Sequence, residues 1–204
     1  MSSGKFRVAV FASGSGTNAE EIFKHFRNHP GIDVVLLMSN NPNAYALQRA
    51  KSYGIRVDTF TRQEFNEGRK IMDDLRAAGV THIVLAGFLW LIPGYLLQAF
   101  PNRIINIHPA LLPRHGGKGM YGLKVHEAVK ASGDPETGIT IHLVNSKYDE
   151  GTILFQGRCS ISAEHTPEEI AACVHKLEYE HYPREIEKWI LEGDTSTRHP
   201  APRN

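Results

Sequence analysis

Residues 6–18 read Phe6-Arg-Val-Ala-Val-Phe-Ala-Ser-Gly-Ser-Gly-Thr-Asn18, and this stretch carries the pattern that decides the fold. The segment Phe6–Phe11 is typical of a buried β-strand, and a glycine-rich turn follows it directly. Apolar residues then recur at helical spacing from Asn18 to Phe26, which predicts a helix. A strand, a glycine-rich turn and a helix in this order form the first unit of an α/β fold.

The same alternation of strands and amphipathic helices continues through the first half of the chain. The predicted strands are Val34–Met38, Arg56–Phe60, His82–Ala86 and Arg103–His108, and the predicted helices are Ala44–Tyr53 and Gln63–Ala78. The strand cores lack polar alternation, which indicates that both faces of the sheet are covered. We therefore expect an α/β fold with an open, mostly parallel twisted sheet and helices on both faces.

The C-terminal half has a different pattern. The alternating segment Ile139–Val144 is joined by a turn to a further strand at Thr152–Ser160, which predicts an antiparallel pair at the edge of the sheet. Thr166-Pro-Glu-Glu169 has the signature of a helix start. We expect that helix to reach Ile190, with a break or kink at Pro183. The chain is predicted to form a single domain over residues 1–190, followed by a polar tail over 191–204.

Composition and charge exclude several classes of protein. The 204 residues include 23 Lys and Arg against 22 Asp and Glu, so the net charge of +1 provides no basic stripe for nucleic acid. The longest uncharged stretch, Ile83–Leu97, is too short to span a membrane, and no signal peptide is visible. Cys159 and Cys173 form neither a disulfide framework nor a CxxC metal pair. We expect a soluble, cytoplasmic protein.

The turn Ser13-Gly-Ser-Gly-Thr-Asn18 is a candidate phosphate site. Glycines let the backbone approach a ligand, and backbone N–H groups at a helix N-terminus favour an anion. A tight turn with a capping residue is the alternative. Gly14, Gly16 and Ala19 also match the dinucleotide fingerprint, but that fingerprint requires an acidic residue at the end of the second strand. The sequence there is Met38-Ser-Asn-Asn41, so a single phosphate fits better than a dinucleotide.

Asn106 and His108 are two residues apart at the end of a predicted strand, so their side chains share one face of the sheet. An Asn N–H can stabilise an oxygen that gains negative charge, and a His can hold or deliver a proton near neutral pH. A hydrogen-bonded Asn and a core histidine are the equally weighted alternative. Asp149 lies in a glycine-containing turn after Thr140-Ile-His142, where an Asp by default serves the turn itself. Aimed at an imidazole, it would orient the ring and favour its protonated form, but spacing alone does not show that it reaches His108.

Other potential sites receive less support from the sequence. Gly87–Pro93 is an apolar, aromatic segment that could form the wall of a site for a flat heteroaromatic ligand, or simply belong to the core. His25 and His29 have helical spacing but lack the Glu of an HExxH motif, so no metal site is predicted. No G-x-S-x-G motif is present, which argues against a nucleophilic serine.

Taken together, these motifs resemble the phosphoribosylglycinamide formyltransferase family, the folate-dependent formyltransferases of purine biosynthesis. The resemblance extends from about Lys5 to Trp189, and its specific parts are Ser13–Asn18, Ala86–Phe88, Asn106–Pro113 and Gly138–Gly151. It implies a Rossmann-like formyltransferase fold. It also implies transfer of a formyl group from 10-formyltetrahydrofolate to the amine of 5-phosphoribosylglycinamide. The partners would be these two small molecules, without metal, nucleic acid or membrane, and the protein would be a monomer or a homodimer.

The resemblance also implies a role for individual residues. The residues matching the catalytic group are Asn106, His108 and Asp149. The residues matching the substrate site are Gly16, Thr17 and Asn18 at the phosphate, and His175 and Glu178 at the ribose. The residues matching the folate site are Leu89, Trp90, Leu91 and Ile92 at the pterin, with Asn106 beside them. Arg69 matches an arginine near the folate tail, with Arg62 as the competing candidate.

The sequence departs from the family pattern at several positions. Thr17 stands where Ser is common, and Trp90 stands where Arg is frequent. Leu143 and Ser146 occupy positions at which aromatic and acidic residues are more usual. The segment His115–Gly122 is longer and richer in glycine. These departures concern ligand detail rather than the class of reaction.

Two other classes of function fit part of the pattern. A nicotinamide-dependent oxidoreductase would explain the glycine-rich loop but would leave Asn106, His108 and the D-x-G turn unused. A non-catalytic folate-binding or nucleotide-binding module would keep the pocket without formyl transfer, and the complete set of Asn106, His108 and Asp149 argues against it.

Overall fold

The computed structural model describes residues 6–196 and contains one seven-stranded sheet. Its strands are β1 (Phe6–Phe11), β2 (Ile32–Ser39), β3 (Arg56–Thr59), β4 (His82–Leu85), β5 (Ile104–His108), β6 (Glu136–Leu143) and β7 (Ile153–Ser160). Its helices are α1 (Thr17–Phe26), α2 (Tyr45–Ser52), α3 (Arg62–Glu67), α4 (Arg69–Ala77), α5 (Gly94–Ala99), α6 (Leu123–Ser132) and α7 (Pro167–Ser196).

The strand order is β3-β2-β1-β4-β5-β6-β7. The first five strands in this order are parallel to their neighbours, whereas β6 is antiparallel to both β5 and β7. The predicted open, mostly parallel sheet with an antiparallel edge is therefore confirmed. The chain reverses its direction of travel across the sheet between β1 and β4. In open α/β sheets, such a reversal opens a crevice at the carboxyl ends of the strands.

Apolar side chains cover both faces of the sheet. Val8 and Val10 of β1 belong to one buried cluster with residues of α1, α2 and α7. Ala9 and Phe11, on the opposite face, belong to a second cluster with residues of α3, α4 and α5. This arrangement explains why the strand sequences show no polar alternation.

The structure corrects the prediction of one helix over Gln63–Ala78. Two helices, α3 and α4, meet at Gly68, whose φ of +78° lies in the left-handed region. The apolar spacing continues across this break, so periodicity alone does not show it. The structure also contains α5 and α6, two helices that the sequence analysis did not predict.

The helix predicted to start near Thr166 is present as α7. It continues past Pro183 without interruption and extends beyond residue 190, as far as Ser196. The remaining residues of the predicted tail lie outside the described part of the chain. Cys159 of β7 and Cys173 of α7 form a disulfide, a pairing that the sequence analysis did not predict. Within residues 6–196, no helix has both the length and the hydropathy needed to cross a bilayer.

Gly68→Ala should destabilise the fold more than Gly54→Ala does. Both glycines have a positive φ, so an alanine at either position costs about 1–2 kcal/mol of backbone strain. At Gly68 the new Cβ would also lie 2.8 Å from the Tyr95 ring, which adds about 1–3 kcal/mol of overpacking. At Gly54 no atom lies within 4 Å of a new Cβ, so this additional cost is absent. Chemical denaturation of both variants measures the difference, and equal losses would contradict this packing argument.

Candidate active site

A cavity of about 770 Å³ lies at the carboxyl ends of β1, β4 and β5, where the strand order reverses. Its wall is formed by the segments that follow these strands, the glycine-rich segment before α6, the turn after β6, and one face of α7. Most of the side chains singled out in the sequence analysis therefore meet in one place.

The turn after β1 lies at one end of this cavity and leads into the N-terminus of α1. Gly16 has a φ of +74°, and a Cβ there would lie 2.5 Å from the Cβ of Ala46. The turn rests on α2, because the Ala46 N–H donates to the Gly14 carbonyl (3.1 Å) and Arg49 Nε donates to the Ser15 carbonyl (3.0 Å). Glycine is thus required at position 16, and this end of the cavity presents a helix N-terminus suited to an anion.

Thr17 and Asn18 follow Gly16 and also line the cavity. Asn40 and Asn41 follow the end of the neighbouring strand, β2, and both form hydrogen bonds with Ser13. Ser13 Oγ donates to Asn40 Oδ1 (2.7 Å), and Asn41 Nδ2 donates to the Ser13 carbonyl (3.3 Å). These positions hold amides rather than the carboxylate that a dinucleotide site requires.

Asn106, His108 and Asp149 meet at the floor of the cavity. His108 Nδ1 lies 3.6 Å from Asp149 Oδ2, and His142 Nε2 lies 3.7 Å from Asp149 Oδ1. His142 Nδ1 bonds to the Leu143 carbonyl (2.9 Å), so its Nε2 accepts a hydrogen bond from Asn106 Nδ2 (3.1 Å). The structure therefore answers what sequence spacing left open: Asp149 reaches His108 and contacts His142 as well.

The backbone around Asp149 explains the spacing of the D-x-G turn. Asp149 has a φ of +56°, and its Oδ2 accepts a hydrogen bond from the Gly117 N–H (2.9 Å). At Gly151, a Cβ would overlap the carbonyl oxygen of Leu143. A glycine is needed there for the turn to bring Asp149 back against the end of β6.

Burial and pairing act in opposite directions on these ionisable groups. Burial disfavours the charge of Asp149, but contacts with His142, His108 and the Gly117 N–H outweigh it and lower the pKa of the carboxyl. Burial also lowers the pKa of His108, and Asp149 together with the His115 carbonyl only partly offsets this effect. Asp149 is therefore charged, and the ionised form of His108 is disfavoured despite the effect of Asp149.

Two residues of α7 close the side of the cavity next to the β1 turn. Glu178 is 6% exposed, and burial raises its pKa to about 7, against the opposing effect of a hydrogen bond with Asn18. His175 lies one turn earlier on the helix, with its Nε2 4.0 Å from Glu178 Oε2. The structure thus brings both predicted ribose residues next to the predicted phosphate residues.

The segment after β4 forms the apolar end of the cavity. All four residues of the predicted pterin segment line it: Leu89, Trp90, Leu91 and Ile92. Leu89 and Leu91 are exposed, whereas Trp90 packs against Phe65 and other aromatic residues of the core. A flat apolar ligand would therefore find a preformed surface here.

The two arginines considered for the folate tail occupy different surroundings. The Arg62 guanidinium lies 3.6 Å from the centroid of the Trp90 ring, whereas Arg69 is exposed at the first turn of α4. Neither arginine lines the cavity itself. Stacking on an indole restricts a guanidinium without consuming its N–H groups. This geometry favours Arg62 over Arg69.

Several cavity residues were not identified from the sequence. Residues 117–123 and His126 of α6 line the cavity, as does Tyr148, whose hydroxyl accepts a hydrogen bond from the Leu91 N–H (3.1 Å). The signal that could have located the first group is the cluster of glycines, because Gly117, Gly119 and Gly122 all have positive φ. Among the described residues, no group of three His, Cys, Asp or Glu side chains is placed to hold a metal ion.

Comparisons with known proteins agree with this architecture. The model of the formyl transferase family matches residues 6–186. The chain is 46% identical over 187 residues to the chloroplastic phosphoribosylglycinamide formyltransferase of Arabidopsis thaliana, covering 84% of this chain and 62% of that protein. It is 37% identical over 194 residues to the phosphoribosylglycinamide formyltransferase of Haemophilus influenzae, covering 92% of this chain and 88% of that protein. The chain thus spans less than two thirds of the plant relatives, with 62% and 60% of their lengths covered.

Solved structures give the same picture. The chain is similar to the crystal structure of phosphoribosylglycinamide formyltransferase from Anaplasma phagocytophilum, with a TM-score of 0.81, 32% identity and coverage of 89% of this chain and 85% of that one. The structure of the same enzyme from Bacillus halodurans gives a TM-score of 0.80 at 34% identity, with coverage of 89% and 94%.

Replacing Glu178 by Gln should remove a pH dependence of stability. With a pKa of about 7 in the folded state and 4.5 as its ordinary value, the folded chain binds more protons than the unfolded chain between these values. Stability is therefore lost as pH rises from 4.5 to about 7, by about 3 kcal/mol. Denaturation of wild type and Glu178→Gln at both ends of this range measures the effect.

The exposed Glu180 on the same helix provides the control. Glu180→Gln should leave the pH dependence of wild type in place. If Glu178→Gln follows the same curve as wild type, the carboxyl does not titrate in this range and the prediction is wrong.

Proposed function

The chain belongs to the formyl transferase family, and on that premise we propose that it transfers the formyl group of 10-formyltetrahydrofolate to the amine of 5-phosphoribosylglycinamide. The products would be formylglycinamide ribonucleotide and tetrahydrofolate, as in the de novo biosynthesis of purines (IMP). The observation that carries the proposal is the meeting of Asn106, His108 and Asp149 between an anion-binding turn and an apolar wall.

The order of groups along the cavity matches the two substrates. The β1 turn, with Gly16, Thr17 and Asn18, would hold the phosphate, and His175 and Glu178 would contact the ribose. On the apolar wall, Leu89, Trp90, Leu91 and Ile92 would hold the pterin, with Asn106 at its reactive side. Arg62 supports the folate tail better than Arg69 because it is held on Trp90 beside the pterin segment.

In the proposed reaction, the substrate amine attacks the formyl carbon and negative charge develops on the former carbonyl oxygen. One N–H of the Asn106 amide is bonded to His142, which fixes the side chain and leaves the second N–H for this oxygen. The developing charge adds to that of Asp149 and offsets the burial that disfavours protonated His108. Asn106 and an imidazolium would then stabilise the intermediate together.

His108 would contribute in two ways. Once protonated, it would place a positive charge at the reaction centre, and its Nε2–H donates to the His115 carbonyl (2.8 Å). A shift of the glycine-rich segment would free this N–H for the oxyanion. The amine loses one proton as the new amide bond forms, and the departing folate nitrogen gains one. A water held near Asp149 could relay that proton.

Other properties of the protein remain predictions. The proposed partners are the ribonucleotide and the folate, both small molecules, and no metal, nucleic acid or membrane is proposed to take part. A monomeric or homodimeric state and a cytoplasmic location are expected as in the sequence analysis.

Replacement of Asn106 or Asp149 by Ala should lower turnover at least tenfold. Loss of one oxyanion donor typically costs about 10²–10³ in rate, and loss of acid–base assistance costs about 10²–10⁴. Formyl transfer to glycinamide ribonucleotide, followed by folate absorbance, measures the effect. His181→Asn, a histidine that does not line the cavity, is the control. Near-normal turnover in either alanine variant would contradict the assignment.

Replacement of Gly16 by Val should weaken ribonucleotide binding far more than folate binding. A side chain at position 16 collides with Ala46 and deforms the turn at the N-terminus of α1. The pterin segment contacts the turn at Ser13, three residues away, where the Leu89 N–H donates to Ser13 Oγ (3.1 Å). Gly94→Val is the control, because no atom lies within 4 Å of a Cβ there and Gly94 does not line the cavity. Titration calorimetry with each ligand provides the comparison. An equal loss of affinity for both ligands would argue against a phosphate site in this turn.

A further inference from the structure

His126 of α6 is a buried cavity residue to which neither the fold nor the proposed reaction has given a role. It is 3% exposed, and its Nδ1 has no hydrogen-bond partner among the described residues. An unpaired buried polar atom of this kind costs about 1–3 kcal/mol. Its position in the wall of the cavity indicates that a ligand can provide the missing partner.

The ring of His126 lies between the reaction centre and the ribose side of the cavity. It makes an edge contact with the ring of His175 on α7, with centroids 6.5 Å apart. His108 at the end of β5 is also near enough for its charge to oppose protonation of His126. In the substrate arrangement proposed above, the glycinamide group occupies this middle region, because it connects the ribose to the attacking amine.

The neighbouring polar groups already have partners. Asn106 is bonded to His142, Asp149 to the Gly117 N–H, and His108 to the His115 carbonyl. The second unpaired buried atom in the cavity wall is Asn18 Oδ1, which can only accept. A phosphate dianion offers acceptors alone, so it cannot satisfy Asn18 Oδ1. Hydrogen-bond donors occur in the middle of the ribonucleotide, as hydroxyl, amide and amine groups.

Building on the proposed function, we propose that His126 is a specificity-determining residue whose neutral imidazole accepts a hydrogen bond from the amine of the glycinamide group. An attacking amine needs its lone pair directed at the formyl carbon. Holding one of its N–H groups from the α6 side fixes that direction. A substrate without an N–H at this position would leave the buried ring nitrogen unpaired and would be disfavoured.

The charge state of His126 is consistent with an acceptor. Burial, with smaller contributions from His175 and His108, lowers its pKa to about 4, so the ring stays neutral near neutral pH. The other ionisable groups that line the cavity are His175 and Glu178 from α7, His108 from β5, His142, Lys147, Tyr148 and Asp149 from β6 and its turn, and Lys118 and Tyr121 from the segment before α6. We expect the contribution of His126 to be independent of pH, unlike that of a proton-transferring base.

The test compares His126→Leu with His126→Asn. Leu fills the site but removes the hydrogen bond, whereas Asn retains a hydrogen-bonding group near the position of Nδ1. We expect Leu to lower kcat/KM for the ribonucleotide about tenfold or more and Asn to stay within about threefold of wild type. The KM for folate should not change. The ratio of kcat/KM for wild type to kcat/KM for His126→Leu should be constant between about pH 6 and pH 9.

A second substrate locates the contact. Glycinamide ribonucleoside, which lacks the phosphate, should show the same fold-loss with His126→Leu as the ribonucleotide does. A loss confined to the phosphorylated substrate would place His126 at the phosphate and overturn the proposal. Equal losses for Leu and Asn, with matching losses in thermal stability, would show a purely structural role and would overturn it too.

Binding separates this proposal from the proposed function. Calorimetric titration of the ribonucleotide into wild type and His126→Leu does not depend on formyl transfer. If wild type binds the ribonucleotide and transfers no formyl group, the proposed function fails while the expected loss of affinity in His126→Leu still supports the contact. If binding is unchanged in that variant, the contact is absent, whatever the catalytic result.

Discussion

The constraint on which this structure depends is that both faces of its parallel strands are buried. Apolar clusters cover the sheet on either side, so polar side chains on the strands can reach a ligand only where the strands end. Asn106 and His108 stand at such an end, and the reversal of strand order between β1 and β4 opens space in front of them. The site is therefore located by the topology before any particular side chain is considered.

Much of the fold could be predicted because its signals are local. β1 is observed with the predicted bounds, Phe6–Phe11, and the glycine-rich turn leads into α1 as expected. The break at Gly68 could not be predicted in the same way, because the apolar spacing continues across it and the determining contact is with Tyr95, distant in the sequence. α5 is a short helix of six residues directly after Pro93. α6 has ten residues and carries Val125 and Val129 at helical spacing, a signal that the sequence analysis did not use.

The residues of the site also differ in whether a local sequence signal identifies them. The turn ending at Asn18 could be predicted from a local motif. The segment from Leu89 to Ile92 is by itself typical of a core, and only the family resemblance assigned it to the pterin. The meeting of Asp149 with His108 and His142 depends on how β6 pairs with β5, which no local pattern specifies. His126 shows most clearly which site residues a sequence motif cannot reveal. A lone histidine on a helix has no motif, and only its burial beside the cavity with an unpaired nitrogen distinguishes it.

The electrostatics of the site bear directly on catalysis. Asp149 is charged although it is mostly buried, and burial outweighs its effect on His108, whose pKa stays below its ordinary value. An imidazolium stabilises the oxyanion of the intermediate more than the neutral formyl oxygen of the ground state, so a positive charge on His108 lowers the barrier. Here the cation is disfavoured until negative charge develops on the formyl oxygen. On the proposed mechanism, Asp149 and the oxyanion together make protonation of His108 favourable, so that much of the stabilisation arises in the transition state.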